Sequence, residues 1–284
     1  MHGENRSGTR PCSGPLIYRQ SLWTRATHWV WALCLFFLLL SGLQIFNAHP
    51  ALNIGHESGF GYDNAILRLH AVNTPDGPRG RTTVFRWSFD TTGVLGLSGP
   101  ADDRRVRGFP PSLTIPSYQD LATGRVVHFF FAWLLVATLL TWLAAGLVNG
   151  HIRRDFVPTG KDLRALPRDL ADHLRFRFRH TRDYNVLQKF SYCGVLFVLM
   201  PLMILTGLAM SPGMDAAWPW LLDLFGGRQT ARTIHFLVMT LLVLFFVVHL
   251  LMILAAGPLN ELRSIITGWY RTDGEPDKVS EPHS

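Results

Sequence analysis

The sequence TARTIHFLVMTLLVLFFVVHLLMILAAG, residues 230–257, decides the fold of this chain. No charged residue lies between Arg232 and Glu261, and this uncharged run is long enough to cross a hydrocarbon core of about 30 Å as a helix. Two ionisable residues, His235 and His249, nevertheless lie inside it. Because ionisable side chains are costly inside a membrane, these two histidines are candidates for a functional site.

The spacing of these two histidines places them on one face of the predicted helix. Fourteen residues at about 100° each leave the imidazoles about 40° apart, and at about 1.5 Å per residue they lie about 21 Å apart along the axis. This separation suits two haem irons stacked through a membrane, one near each surface. The alternative is that backbone groups or water satisfy both imidazoles.

Three further uncharged runs of about 20 residues predict three more spans. They are Ala26–Phe46, Val126–Asn149 and Phe190–Met214. The first follows a polar lead and is too long for the apolar region of a signal peptide, so we interpret it as a membrane helix. The sequence therefore predicts an all-α membrane protein, a bundle of four transmembrane helices embedded in the lipid bilayer.

The net charge of +7 is unevenly distributed along the chain. Nine Lys and Arg residues lie between positions 153 and 182, whereas Arg228 is the only basic residue of the loop that precedes Arg232. This asymmetry is the positive-inside pattern of a membrane protein and argues against nucleic-acid binding. It predicts that both termini and the basic loop 150–184 are cytoplasmic, and that the long insert 48–123 is periplasmic.

The predicted topology sorts four membrane histidines into two levels. His28 lies near the inner surface and His128 near the outer surface, while the fourth helix places His235 at the outer level and His249 at the inner level. Each level thus holds two imidazoles from different helices, the ligand set of a six-coordinate haem iron, and helix bundles hold cofactors between their helices. We therefore predict two b-type haems with the axial pairs His128–His235 and His28–His249. Zinc is disfavoured because each level lacks a third or fourth ligand, and without a CxxCH motif we expect no covalent haem.

Four motifs carry a resemblance to a known family. With them the chain resembles the bacterial di-haem b-type membrane cytochromes, which include the cytochrome b subunit of nickel-iron hydrogenase, the gamma subunit of formate dehydrogenase-N and thiosulfate reductase cytochrome b. The resemblance covers roughly residues 18–150 and 183–270. The motifs are RATHW (25–29), GRVVHFF (124–130), YNVLQK (184–189) and HFLVMTLLVLFFVVH (235–249).

The resemblance implies haem ligation by the four histidines as paired above, and a quinone pocket at the cytoplasmic mouth of the third span. Asn185, Leu187 and Gln188 would form that pocket. In formate dehydrogenase the matching motif reads YNAGQK, and its asparagine and glycine contact a quinone analogue together with the inner-haem histidine. Here Leu187 replaces the glycine, so we expect a pocket of different shape. A helix N-cap is the alternative role for Asn185.

The insert has two features of its own. RTTVFRWSF, residues 81–89, alternates enough to predict a short strand or hairpin. HPALNIG (49–55) and IPSYQDLATGR (115–125) resemble a subgroup that pairs with periplasmic molybdopterin oxidoreductases. Because loops of this length are usually functional or disordered, we interpret the insert as a docking cap.

The predicted organisation is a disordered cytoplasmic tail (1–20), a four-helix membrane cytochrome b domain (21–270) and a second cytoplasmic tail (271–284). The function that follows is an electron-transfer subunit of the bacterial inner membrane rather than a self-sufficient enzyme. Two haem b groups would relay electrons between the quinone pool near the cytoplasmic side and a periplasmic redox subunit. One alternative is a stand-alone quinone-linked oxidoreductase acting on a small molecule such as superoxide, which the long insert disfavours by hindering access. Another is a haem-free membrane anchor or transporter.

Overall fold

The computed structural model describes residues 14–59, 62–150, 164, 167 and 186–272. Within these residues, four helices are long and apolar enough to cross a membrane. The prediction of a multi-pass membrane protein with four apolar helices is thus confirmed, whereas the periplasmic side of the insert and the cytoplasmic side of the termini stay predictions. The four spans are Leu22–Phe46 (α1), Leu121–Val148 (α2), Lys189–Ala209 (the third span) and Arg228–Ala256 (the fourth span).

Side-chain caps fix where the first two spans begin. The hydroxyl of Ser21 accepts a hydrogen bond from the backbone N–H of Thr24 at 3.1 Å, just ahead of α1. Asp120 accepts bonds from the hydroxyl of Thr123 at 2.7 Å and from its backbone N–H at 3.1 Å, and these bonds hold the pKa of the Asp120 carboxyl below its usual range. Each cap satisfies an N–H that the first turn of a helix leaves unpaired. Both helices therefore begin a turn earlier than their uncharged runs.

The third span is irregular. It consists of α3 (Val186–Gly194), a π-helical turn (Val195–Leu199) and α4 (Met200–Ala209). Pro201 lies two residues after the π turn ends, and a proline inside a helix lacks an N–H and crowds the carbonyl one turn earlier. The wider π turn is one of the ways in which a helix accommodates such a residue.

Two short helices and an amphipathic one flank the fourth span. The span that the sequence extends to Met214 ends at Ala209, because the chain turns there into α5 (Pro212–Ala217) and α6 (Trp220–Leu224). After the fourth span, which is α7, Gly257 adopts a φ of 110° and the chain enters α8 (Pro258–Thr267).

The insert between α1 and α2 is folded as β structure. The prediction of a hairpin at 81–89 is confirmed, because Val84 pairs with Trp87 across its turn. The class all-α therefore describes the spans and not the insert. One antiparallel sheet has the strand order Ala51–Asn53 (β2), Ala65–Thr74 (β3), Gly77–Val84 (β4) and Trp87–Asp90 (β5). A second antiparallel sheet pairs Gly96–Ser98 (β6) with Arg105–Arg107 (β7).

The insert packs on the ends of the first and fourth spans. Phe46, the last residue of α1, is buried with Leu52 and Leu69 of the insert, and Phe109 and Phe236 pack against them. Hydrogen bonds reinforce this contact: Thr230 accepts from the backbone of Gly55 at 2.8 Å, and Thr233 donates to the carbonyl of Asn53 at 2.7 Å. The insert is thereby fixed on these two helices.

A second apolar cluster lies between the spans themselves. Cys34 is fully buried there with Leu135, Leu139 and Met200. In the same region Trp31 of α1 donates its indole N–H to the hydroxyl of Thr138 on α2 at 3.1 Å. These contacts hold the first, second and third spans together.

The segments at the two ends of the described chain form a small sheet. Leu16–Tyr18 (β1) pairs in antiparallel fashion with Trp269–Arg271 (β8), and Tyr270 is buried. The sequence predicts a disordered tail over residues 1–20, whereas Leu16–Tyr18 of that segment form β1. Sequence reasoning missed this strand because its pairing partner lies at the far end of the chain. Most of the basic loop 150–184, the first 13 residues and residues 273–284 lie outside the described residues.

Candidate cofactor site

Two histidines from different spans face one another. His128 on α2 and His235 on the fourth span are half-buried, and their ring centroids lie 6.5 Å apart with the planes 58° apart. Two metal–nitrogen bonds of about 2 Å each, with an imidazole beyond each bond, place ring centroids about 6 Å apart. The observed separation therefore fits one metal ion held between the two rings.

A hydroxyl group orients the imidazole of His128. Ser41 Oγ lies 3.1 Å from His128 Nδ1, and Ser41 donates its own proton to the carbonyl of Phe37 at 2.6 Å. Since the hydroxyl proton is used on the backbone, the oxygen accepts the Nδ1–H of the imidazole. That tautomer leaves the Nε2 lone pair available for a metal, the arrangement in which a partner at the other ring nitrogen orients a ligating histidine.

The imidazole of His235 is oriented in the same way. Thr206 Oγ1 lies 3.0 Å from His235 Nδ1, and Thr206 donates to the carbonyl of Leu202 at 2.7 Å. The same argument therefore leaves Nε2 of His235 available. Thr206 lies on α4 in the third span, so the third and fourth spans supply this half of the site as the first and second supply the other.

A glycine follows each hydroxyl residue and makes room for the ring. A Cβ atom added to Gly42 would lie 3.3 Å from Cε1 of His128, and one added to Gly207 would lie 3.4 Å from Cε1 of His235. Sequence analysis missed Ser41 and Thr206 as site residues. The signal was present, because both dipeptides occur in the same pattern, LSGL at 40–43 and LTGL at 205–208.

The other two predicted ligands also come together. His28 on α1 is close enough to His249 on the fourth span for a direct electrostatic interaction, and Glu261 interacts in the same way with His249. The structure thus groups the four histidines into the two pairs that their depths predict, while their role as haem ligands stays a prediction.

The predicted quinone residues cannot be placed in the same detail. Asn185 lies outside the described residues. Leu187 and Gln188 are in the first turn of α3, and their side chains lie outside the described part of the chain. The quinone pocket therefore stays a prediction.

Two sequence comparisons relate this chain to known proteins. The family model described as prokaryotic cytochrome b561 matches residues 159–268. A protein of Azospira oryzae that carries the name protein-methionine-sulfoxide reductase subunit YedZ1 is 33% identical over 128 residues. That alignment covers 44% of this chain and 62% of the relative, so the chain spans less than two thirds of the relative's length. The resemblance to bacterial b-type membrane cytochromes is confirmed. The matched cytochrome b561 family implies haem b as its cofactor.

The outer histidine pair fits such a group on three observations. The two rings have the separation that a metal between them requires, each Nδ1–H has a hydroxyl acceptor, and each ring has a glycine beside it. The donor set is also chemically suitable, because a haem iron takes neutral imidazole as an axial ligand.

The glycines give a first test. Gly42→Ala and Gly207→Ala would each push an imidazole edge aside, and overpacking of this kind costs about 1–3 kcal/mol. We expect both variants to carry less haem b per purified chain, measured by the pyridine haemochrome spectrum. Gly194→Ala is the matched control, because nothing lies within 4 Å of an added Cβ there. Equal haem content in all three variants would contradict this role.

The hydroxyls give a second test. Thr206→Ala removes the acceptor of the His235 Nδ1–H, which lowers the electron donation of the imidazole and disfavours the ferric state. We expect the midpoint potential of one haem to rise in a spectroelectrochemical titration. Thr141→Ala is the matched control, because Thr141 also donates to a carbonyl one turn earlier, that of Ala137 at 2.7 Å. A shift of the same size in both variants would rule out a specific effect on His235.

Proposed function

We propose that this chain is the membrane haem subunit of a bacterial inner-membrane oxidoreductase. In this proposal it holds two haem b groups, one with His128 and His235 and one with His28 and His249, and it passes electrons between the quinone pool and a redox partner. The observation that carries the proposal is the outer pair, two facing imidazoles whose Nδ1 atoms are both held by hydroxyls that have already used their protons.

The work of this chain is to bind and orient rather than to make or break bonds. Haem, when bound, supplies reversible one-electron transfer. The four histidines supply neutral nitrogen ligands, and Ser41 and Thr206 set the tautomer of the outer pair. The apolar spans around them keep water away from the site. A charged state of the cofactor is stabilised less there than it would be in water, and this difference tunes the reduction potential.

The proposed partner is a periplasmic oxidoreductase, of the molybdopterin type that the insert motifs suggest. The relative from Azospira oryzae is named as a subunit, which supports an assembly of more than one chain. The insert is folded and anchored on Phe46 and Phe236 at the ends of two spans, as a docking surface requires. The same covering disfavours free access of a small molecule such as superoxide, and the cytochrome b561 match disfavours a haem-free transporter.

The number of haems tests the pairing. We expect two haem b groups per purified chain, both extractable by acid acetone because they are not covalently attached. His235→Ala should remove one and His249→Ala the other, since each variant deprives one pair of a ligand. His56→Ala is the control, because His56 is exposed on the insert. Iron ligation couples to folding, so the circular dichroism spectrum of each variant is recorded as well.

One haem in the wild-type chain would contradict the two-pair scheme. So would the loss of both haems from a folded single variant, because the two pairs would then not be independent sites.

The quinone site is tested by reduction kinetics. Asn185 and Gln188 begin the third span at the predicted depth of the inner pair, so their amides could hydrogen-bond a quinone headgroup, and polar groups that orient a ligand in a pocket are few. Asn185→Ala and Gln188→Ala should slow haem reduction by a quinol analogue about tenfold in stopped flow, the effect of one lost hydrogen bond of about 1.5 kcal/mol. Both haem spectra should stay intact.

Asn73→Ala on strand β3 of the insert is the matched control for the quinol reaction, because it removes an exposed amide far along the chain from this motif. If Asn185 only caps the helix, its alanine variant loses about 1 kcal/mol of stability and reduces at the wild-type rate. Unchanged rates in both variants would place quinone oxidation elsewhere.

A further inference from the structure

Arg107, on strand β7 of the insert, is a buried cation with neutral partners. Its side chain is 4% exposed. It donates to the carbonyls of Phe109 at 2.7 Å and Ser117 at 2.9 Å, to the hydroxyl of Thr114 at 3.0 Å, and to Gln44 Oε1 at 3.5 Å. Burial lowers the pKa of its guanidinium, as does the nearby Arg105. Because a buried charge is costly without an opposite charge, this arrangement calls for an anion that the described residues do not supply.

Arg232, in the fourth span, is a half-buried cation whose contacts within the described residues are also neutral. It donates to the backbone carbonyl of His49, and its Nη1 lies 3.1 Å from His49 Nδ1. Its guanidinium lies over the ring of Phe46, 5.3 Å from the centroid. Guanidinium has five N–H donors. Contacts within the described residues use two N–H donors of Arg232 and four N–H donors of Arg107.

Arg232 lies about one helical turn from His235, and Arg107 is linked through Gln44 to the turn that precedes His128. Arg232 precedes His235 by three residues, about 4.5 Å along the helix. Gln44, which contacts Arg107, packs against Gly124, one turn before His128: an added Cβ on Gly124 would lie 3.0 Å from Gln44 Cγ.

The two cations are also joined by one aromatic contact. Arg232 lies over Phe46, Arg107 bonds the carbonyl of Phe109, and the rings of Phe46 and Phe109 are 5.6 Å apart. One buried and one half-buried guanidinium group therefore border the same end of the outer histidine pair.

We infer that Arg107 and Arg232 form a carboxylate-binding site for the propionate groups of the haem held by His128 and His235. This inference rests on the proposed function. Haem b carries two propionate carboxylates, and each would give a guanidinium the anionic partner that its present contacts lack. Bonds between guanidinium and carboxylate are charge-assisted and among the strong hydrogen bonds of proteins. The competing explanation is that both arginines only anchor the insert through backbone carbonyls.

The test uses the full chain purified with its haem. Resonance Raman spectra report the propionate-bending band, whose frequency depends on hydrogen bonding to the carboxylates. We expect this band to shift in Arg107→Gln and in Arg232→Gln. Arg86→Gln is the matched control, because Arg86 is an exposed arginine of the same insert that packs on Trp87. Transfer of haem to apomyoglobin should also become about tenfold faster or more in the two variants, as expected for a lost charged hydrogen bond.

A separate measurement removes the negative charge instead of the positive one. Wild-type chain carrying haem dimethyl ester, in which both carboxylates are blocked, should release its haem at least as fast as either arginine variant, because the ester removes both interactions and each variant removes one. In the double variant Arg107→Gln/Arg232→Gln the ester should make no further difference, because both interactions that it removes are already absent.

The outcomes separate this inference from the proposed function. If the wild-type chain carries haem but both variants keep the band and the release rate of Arg86→Gln, the arginines are anchors only and the inference is wrong, while the proposed function stands. If the wild-type chain carries no haem, the proposed function itself fails. If Arg107→Gln does not fold, Arg232→Gln decides, since a band and rate equal to the control would overturn the site.

Discussion

The site depends on the hydrogen bond from each outer imidazole to a hydroxyl that is itself bonded to its own helix. Because Ser41 and Thr206 use their protons on backbone carbonyls one turn earlier, each can act only as an acceptor toward the imidazole. This fixes both the tautomer and the direction of the rings of His128 and His235. In an apolar environment a neutral imidazole without such a partner could carry its proton on either nitrogen. The backbone of one helix thus decides which nitrogen the neighbouring helix presents.

The same arrangement of a hydroxyl residue, a glycine and a histidine occurs twice in the chain. A hydroxyl residue followed by glycine lies on the first and third spans, and a histidine lies on the second and fourth. Each pair of spans therefore supplies one half of the outer site, and neither half is complete without the other. The insert, anchored on Phe46 and Phe236, adds the buried cation Arg107 to this end of the bundle. Packing, tautomer and charge are consequently set by neighbouring residues rather than by the histidines alone.

The sequence was sufficient where the signal is local. Uncharged runs, charge asymmetry and helical periodicity predict the spans and group His28 with His249 and His128 with His235, because length and depth are one-dimensional quantities. The hairpin at 81–89 follows from alternation for the same reason, although the preceding turn at Pro75–Gly77 carries an equally clear signal that was missed. The roles of Ser41 and Arg107 could not be predicted, since each depends on which distant residue packs against it. The pairing of β1 with β8 depends likewise on a partner about 250 residues away.

That terminal pairing has a consequence for how the protein is made. Leu16 pairs with Arg271, and the backbone N–H of Gly14 bonds the carbonyl of Thr272 at 3.0 Å. During synthesis the first strand leaves the ribosome long before its partner exists, so it waits unpaired while the spans enter the bilayer. β1 is therefore synthesised first but is among the last elements to pair, because the ribosome must finish the fourth span before β8 exists.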